Sequence, residues 1–198
     1  SPDASTYVPS AAAREGDLCI QYLGTAGFVI SQDGHHVVLD PYVTRPNLST
    51  SLTQPLVPDA PLIKRLIPHA NDVLIGHAHH DHILDGPDLC KQTGARLIGS
   101  SSTMQVGIAA GLPPEQLVST DGREDIASGA WTVRGFPSRH GKIFGRIPFP
   151  GDLTAPPPWP ARCTTPKWRP SSMRAATNTT CASAAATTAT SRAASSRP

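Results

Sequence analysis

From Ala161 to Pro198 the chain contains no Leu, Ile, Val, Gly, Phe, Tyr, Asp, Glu, His or Gln and consists mainly of Ala, Thr, Ser and Arg. A segment of that kind cannot bury enough apolar surface to offset the entropy of ordering it. Any core must therefore come from the preceding 160 residues, a length that suits one domain. The expected organisation is a flexible leader over 1–16, one domain over 17–160, and a disordered low-complexity tail over 161–198. Two origins account for the tail. It is a natural Ala/Thr/Ser linker, or it is the product of a shifted reading frame in a GC-rich gene. Codons can be chosen for Arg169 to Thr190 so that the neighbouring frame reads as β-rich sequence.

Within the first part, short apolar runs alternate with helical patterns. "LCIQYLGTAGFVIS" and "HHVVLDPY" are β-rich, and "QDG" between them is a hairpin signal. "PLIKRLIPHA" reads as a short helix opened by Pro61, "DVLIGHAH" as a buried strand, and "HILDGPDLCKQTG" as a helix stopped by Gly94. "ARLIGS" is a strand, "SSTMQVGIAAG" a Ser-capped helix with a Gly end, and "AWTVRGFPSRH" a further strand. The pattern is α/β, with both hairpins and crossover helices.

Composition excludes several classes. With 17 Lys+Arg against 15 Asp+Glu and no basic stripe interleaved with aromatics, no nucleic-acid partner is expected. No run approaches the ~18–20 apolar residues of a membrane span. The start without Met fits removal of an export signal, so cytoplasmic and periplasmic placement both stay open. The four cysteines show no CxxC spacing and no disulfide framework. Cys90 reads as packing, and "LGTAG" is not a dinucleotide loop but allows tight backbone beside a site.

"HAHHDH" puts four histidines and an aspartate in six residues directly behind an apolar run. At the end of that strand His77 and His79 lie two apart on one face, so both imidazoles can converge on one ion. Asp81 and His82 fall where the chain turns into the next helix, placed to hold a second. Donors of this kind without thiolates suit Zn2+ first, with Mn2+ or Fe2+ as alternatives. His140, at a strand end in "GFPSRHGKIFG", is the expected further ligand. The plainer readings are a solvated turn for the cluster, a loop histidine for His140, and a strand-ending Asp-Pro turn for Asp40. His35, His36 and His69 read as surface residues with no role.

The order "LGTAGFVI…VVLDP…HAHHDHILDGPDL…SRHG", from about Leu18 to Pro150, resembles the metallo-β-lactamase superfamily, and within it the branch similar to L-ascorbate-6-phosphate lactonase. The resemblance implies an αββα sandwich and a metal-dependent hydrolase that uses a metal-bound hydroxide on a small ester, lactone or phosphoester. It implies that His77, His79 and His140 bind one ion and Asp81 and His82 another, with ions ~3.5–4 Å apart in such pairs. Asp81 would also orient the nucleophile, and Asp40 would support the site from behind the ligands. The intact family holds two ions; one or two are expected here. The bridging aspartate and last histidine of the family have no counterpart, since Asp152 is the only acidic residue beyond His140 and lies in a Pro-rich stretch. The expected sandwich is therefore incomplete, with an uncovered inner face and unpaired sheet edges. The rival expectation is a truncated, non-catalytic metal-binding remnant.

Overall fold

The computed structural model describes residues 14–138 and 152–160, together with the backbone of 181–184. Strands β1 (Cys19–Gly24), β2 (Gly27–Gln32) and β3 (His35–Leu39) form an antiparallel meander. The β2–β3 turn is Asp33-Gly34, both at positive φ (50° and 80°), the backbone twist that a two-residue hairpin needs. At the β1–β2 turn, a Cβ on Gly27 would meet the Asp40 carbonyl oxygen at 3.0 Å, so the expected close backbone approach is present.

After β3 the chain switches to parallel crossovers. Helices α1 (Leu48–Thr53) and α2 (Ala60–Leu66) precede β4 (Asp72–Leu74), α3 (His80–Ile83) and α4 (Gly86–Thr93) precede β5 (Arg96–Gly99), and α5 (Ser101–Ala109) leads to β6 (Leu117–Ser119). The six strands form one sheet in sequence order, with β3 to β6 parallel. The caps follow side-chain chemistry. Asn47, Asp59 and Ser100 accept backbone N–H bonds at the starts of α1, α2 and α5, and Gly94 ends α4 in the left-handed conformation.

One face of this sheet packs on the helices: Val38, Val73 and Leu97 meet Ile63, Leu89 and Val106. Each fully buried Leu or Val here contributes about 1.5–3 kcal/mol. The other face packs on a smaller sheet of β7 (Asp125–Ser128), β8 (Trp131–Ser138) and β9 (Cys181–Ala184), where Val37, Leu74 and Ile98 meet Ile126, Trp131 and Val133. The layers are thus helices, sheet, sheet. A fourth, helical layer on the small sheet is not found among the described residues. Toward β1 the inner face lies uncovered, with Ile20 63% and Tyr22 58% exposed.

Three expectations change. β4 stops at Leu74, so His77 and His79 are not on a strand. The helix expected over "HILDGPDLCKQTG" is two helices broken at Leu84 and Asp85. Cys181–Ala184 pairs antiparallel with β8, since a strand edge accepts any extended backbone regardless of side chain. His35 is not a free surface residue: its ring abuts Trp131 edge-on at 5.3 Å, and Nε2 lies 2.8 Å from Ser128 Oγ. Ser128 in turn donates to Asp72 at 2.5 Å, and Arg96 Nε donates to the other Asp72 oxygen at 2.6 Å. This network joins the two sheets at the strand ends away from the histidine cluster.

Candidate metal centre

The cluster forms where β4 leaves the sheet. The Ile75 N–H still reaches the Ile98 carbonyl (2.9 Å), but the Gly76 N–H donates to Asp40 Oδ1 (2.6 Å) instead of to a neighbouring strand. His77 therefore sits in an irregular segment. His79 is the extended N-cap of α3 (φ −76°, ψ 151°), and one helical turn then brings Asp81 and His82 round beside His77. Ligand atoms of His77, Asp81 and His82 all lie within 4.8 Å of one another. The His77 and His82 rings are 3.9 Å apart between centroids.

A loop and a short helix group His77 with Asp81 and His82. The His79 ring stands edge-on to His77 with centroids 4.5 Å apart, outside the three-donor group. His80, the fourth histidine of the stretch, packs edge-on to Tyr42 at 6.0 Å. His140 lies outside the described residues.

Asp40 lies behind the three donors, beside His82. It sits at φ +40°, a strained position for a residue with a side chain, though Asp tolerates it better than most. Its Oδ2 is 2.8 Å from His82 Nδ1. An ionised carboxylate can only accept, so Nδ1 carries the proton and Nε2 keeps its lone pair toward Asp81, whose Oδ2 is 3.7 Å away. Burial pulls the His82 imidazole down, but the hydrogen bond to Asp40 and the charges of Asp40 and Asp81 outweigh it, and its pKa is raised above 6.5. The side chains of His82 and Asp40 are 17% and 14% exposed, against 42% for Asp81. Two imidazoles and a carboxylate, one imidazole held in the metal-binding tautomer, suit a borderline divalent ion.

Sequence reasoning missed Asp85. Fully buried, it accepts from the Val43 and Thr44 N–H groups (2.6 and 2.8 Å) and from the Thr44 hydroxyl (2.5 Å). These bonds clamp the loop that follows Asp40. Its only signal in the sequence was a carboxylate inside an apolar helix pattern. The Cys90 thiol, expected to be packing, is buried and pushed up to about 12 by that burial, with the Asp72 charge adding to it; it is no nucleophile.

Beside the donors opens a cavity of about 260 Å3 between the two sheets, bordered by Asp40, His77 and His82 on one side. The remainder of its wall is mainly aliphatic.

Comparison with known proteins agrees with this architecture. The family model described as "Beta-lactamase superfamily domain" matches residues 19–152. A "UPF0173 metal-dependent hydrolase" of Myxococcus xanthus is 31% identical over 119 residues, covering 60% of this chain and 37% of that relative. Another, of Pyrobaculum arsenaticum, is 31% identical over 97 residues, covering 49% of this chain and 39% of the relative. The chain thus spans well under half the length of these relatives. A solved metallo hydrolase of Ignicoccus hospitalis, Igni18, aligns with TM-score 0.45 and 20% identity over 66% of this chain and 53% of that one, too slight a likeness to carry an argument.

Proposed function

The chain belongs to the β-lactamase superfamily, whose domain is matched over residues 19–152, and on that premise we propose that it is a metal-dependent hydrolase of small esters, lactones or phosphoesters. The observation that carries this reading is the convergence of His77, Asp81 and His82 donors within 4.8 Å, with His82 held in the ligating tautomer by Asp40. Zn2+ is the proposed ion, and Mn2+ or Fe2+ would suit the same donors. His79 and His140 are the further ligands that the resemblance implies.

Bound there, the ion would supply Lewis acidity and lower the pKa of a nearby water. The protein's own part is positional. Asp40 fixes His82 in rotation and tautomer. Asp81, whose side chain is 42% exposed, can accept a proton from an incoming nucleophile. His77 and His82 border the cavity, so a substrate bound there lies against the donors.

The test is hydrolysis of a panel of p-nitrophenyl esters, lactones and phosphodiesters by the full chain. Turnover that vanishes with chelator, and in His82→Ala and His79→Ala, supports the reading; turnover indifferent to chelator refutes it. One observation favours a second reading, a non-catalytic metal binder: the described donors make up a set for one ion. One zinc per chain with no turnover on the panel would establish that instead.

A further inference from the structure

The cavity beside the donors is mainly apolar. Leu39, Leu74, Ile98, Ile126 and Val133 form its walls, drawn from β3, β4 and β5 of the large sheet and β7 and β8 of the small one. Its volume, about 260 Å3, exceeds the ~150 Å3 of an apolar cavity that accepts benzene. A group of about six to eight carbons therefore fits. Among the described lining residues the only cation is Arg134, and its guanidinium is committed to Asp125 through two hydrogen bonds of 2.5 and 2.6 Å. Besides Arg134, the polar side chains lining the cavity are His77 and His82 of the donor group, their support Asp40, and Thr120. Such a mainly apolar wall bordered by the donors orients a ligand with its apolar part among the aliphatic side chains and its reacting group on the donors.

We infer that the site takes esters or lactones whose acyl or ring part carries a medium-length aliphatic or aromatic substituent, which enters the space between the sheets while the carbonyl meets the His77–Asp81–His82 cluster. This rests on the metal reading of that cluster.

The test uses the full chain and separates the two ideas. Zinc-loaded protein is titrated with n-alkyl hydroxamates from acetohydroxamate to octanohydroxamate, the hydroxamate serving as the zinc-seeking head. Affinity should rise by about threefold to fourfold per methylene, the ratio expected for burying each in an apolar wall, and then level off when the cavity is full. Val133→Phe, which fills the cavity, and Val133→Asn, which puts an amide into it, should each bring the octano-to-aceto ratio toward one. In parallel, zinc-free protein is titrated with n-hexanol and followed by methyl NMR. Shifts at Leu74, Ile98, Ile126 and Val133 are expected. If zinc does not bind but hexanol moves those methyls, the metal reading fails and the apolar site stands. If hydroxamates bind with no dependence on chain length and hexanol leaves those methyls unmoved, the apolar-substrate inference is overturned while the metal site survives.

Discussion

Asp40→Asn isolates one charge at the centre of the candidate site. Asn has nearly the same shape as Asp and tolerates the positive φ of 40° at this position, so the backbone is not further strained. In the native chain Oδ1 accepts from the Gly76 N–H at 2.6 Å and Oδ2 accepts from His82 Nδ1 at 2.8 Å. Asn can satisfy only one of these. If its oxygen stays on Gly76, its amide N–H2 faces His82, which must offer its Nδ1 lone pair and carry its proton on Nε2, where it cannot ligate. If the amide flips, two N–H groups oppose each other at Gly76, a buried mismatch that costs about 1–3 kcal/mol. Both branches penalise the ion-binding state. The expected loss is about 10- to 100-fold in zinc affinity, about 1.4–2.7 kcal/mol. Calorimetric zinc titration measures it, and long-range 1H–15N spectra of the zinc-free imidazole report the tautomer directly. Zinc affinity within about twofold of the parent, with the His82 tautomer unchanged, would refute the role of Asp40.

The same pair sets a pH dependence. Since the folded pKa of His82 is raised, its contribution to the stability of the zinc-free chain is complete below 6.5 and is lost as pH rises through the folded value. Zinc competes with that proton, so zinc affinity should rise over the same window; thermal melts and titrations across pH should show opposite slopes, both reduced in Asp40→Asn. Asp85→Ala leaves two buried backbone N–H groups and the Thr44 hydroxyl without their acceptor and should lower stability by about 2–5 kcal/mol in urea unfolding. Burial pushes the Asp85 carboxyl up to about 6 against the hydrogen bonds from Thr44 and Val43, so the fall in stability as pH rises from 3.8 through that value should be shallower in the same variant. Leu97→Ala, at a fully buried position between the helices and the large sheet, should cost about 2–5 kcal/mol with zinc affinity little changed.

Local chemistry alone made much of the fold legible. Asp33-Gly34 specifies its own turn, Ser100 and Gly94 mark helix ends through their own hydrogen bonds and backbone freedom, and the β-rich runs announce the meander. The short strands β6 and β7 and the helix α1 carried too few periodic residues to stand out, and they exist because the sheet and its loops give them partners. The cluster shows the same division. Its residue types and their closeness in sequence are plain in "HAHHDH", and they suffice to suggest a metal. Which of them meet is a different matter. Period-two reasoning sets His77 and His79 on one strand face, but the strand ends at Leu74, because Asp40, 36 residues earlier than Gly76, captures the Gly76 N–H and draws the chain out of the sheet. The same carboxylate then turns His82 toward Asp81. The sequence by itself determined the donors and the local elements, because these follow from each residue's own chemistry and its near neighbours. Tertiary structure decided the grouping of His77 with Asp81 and His82, the burial of Asp85 and the apolar space beside the donors, because each depends on contacts between segments distant along the chain.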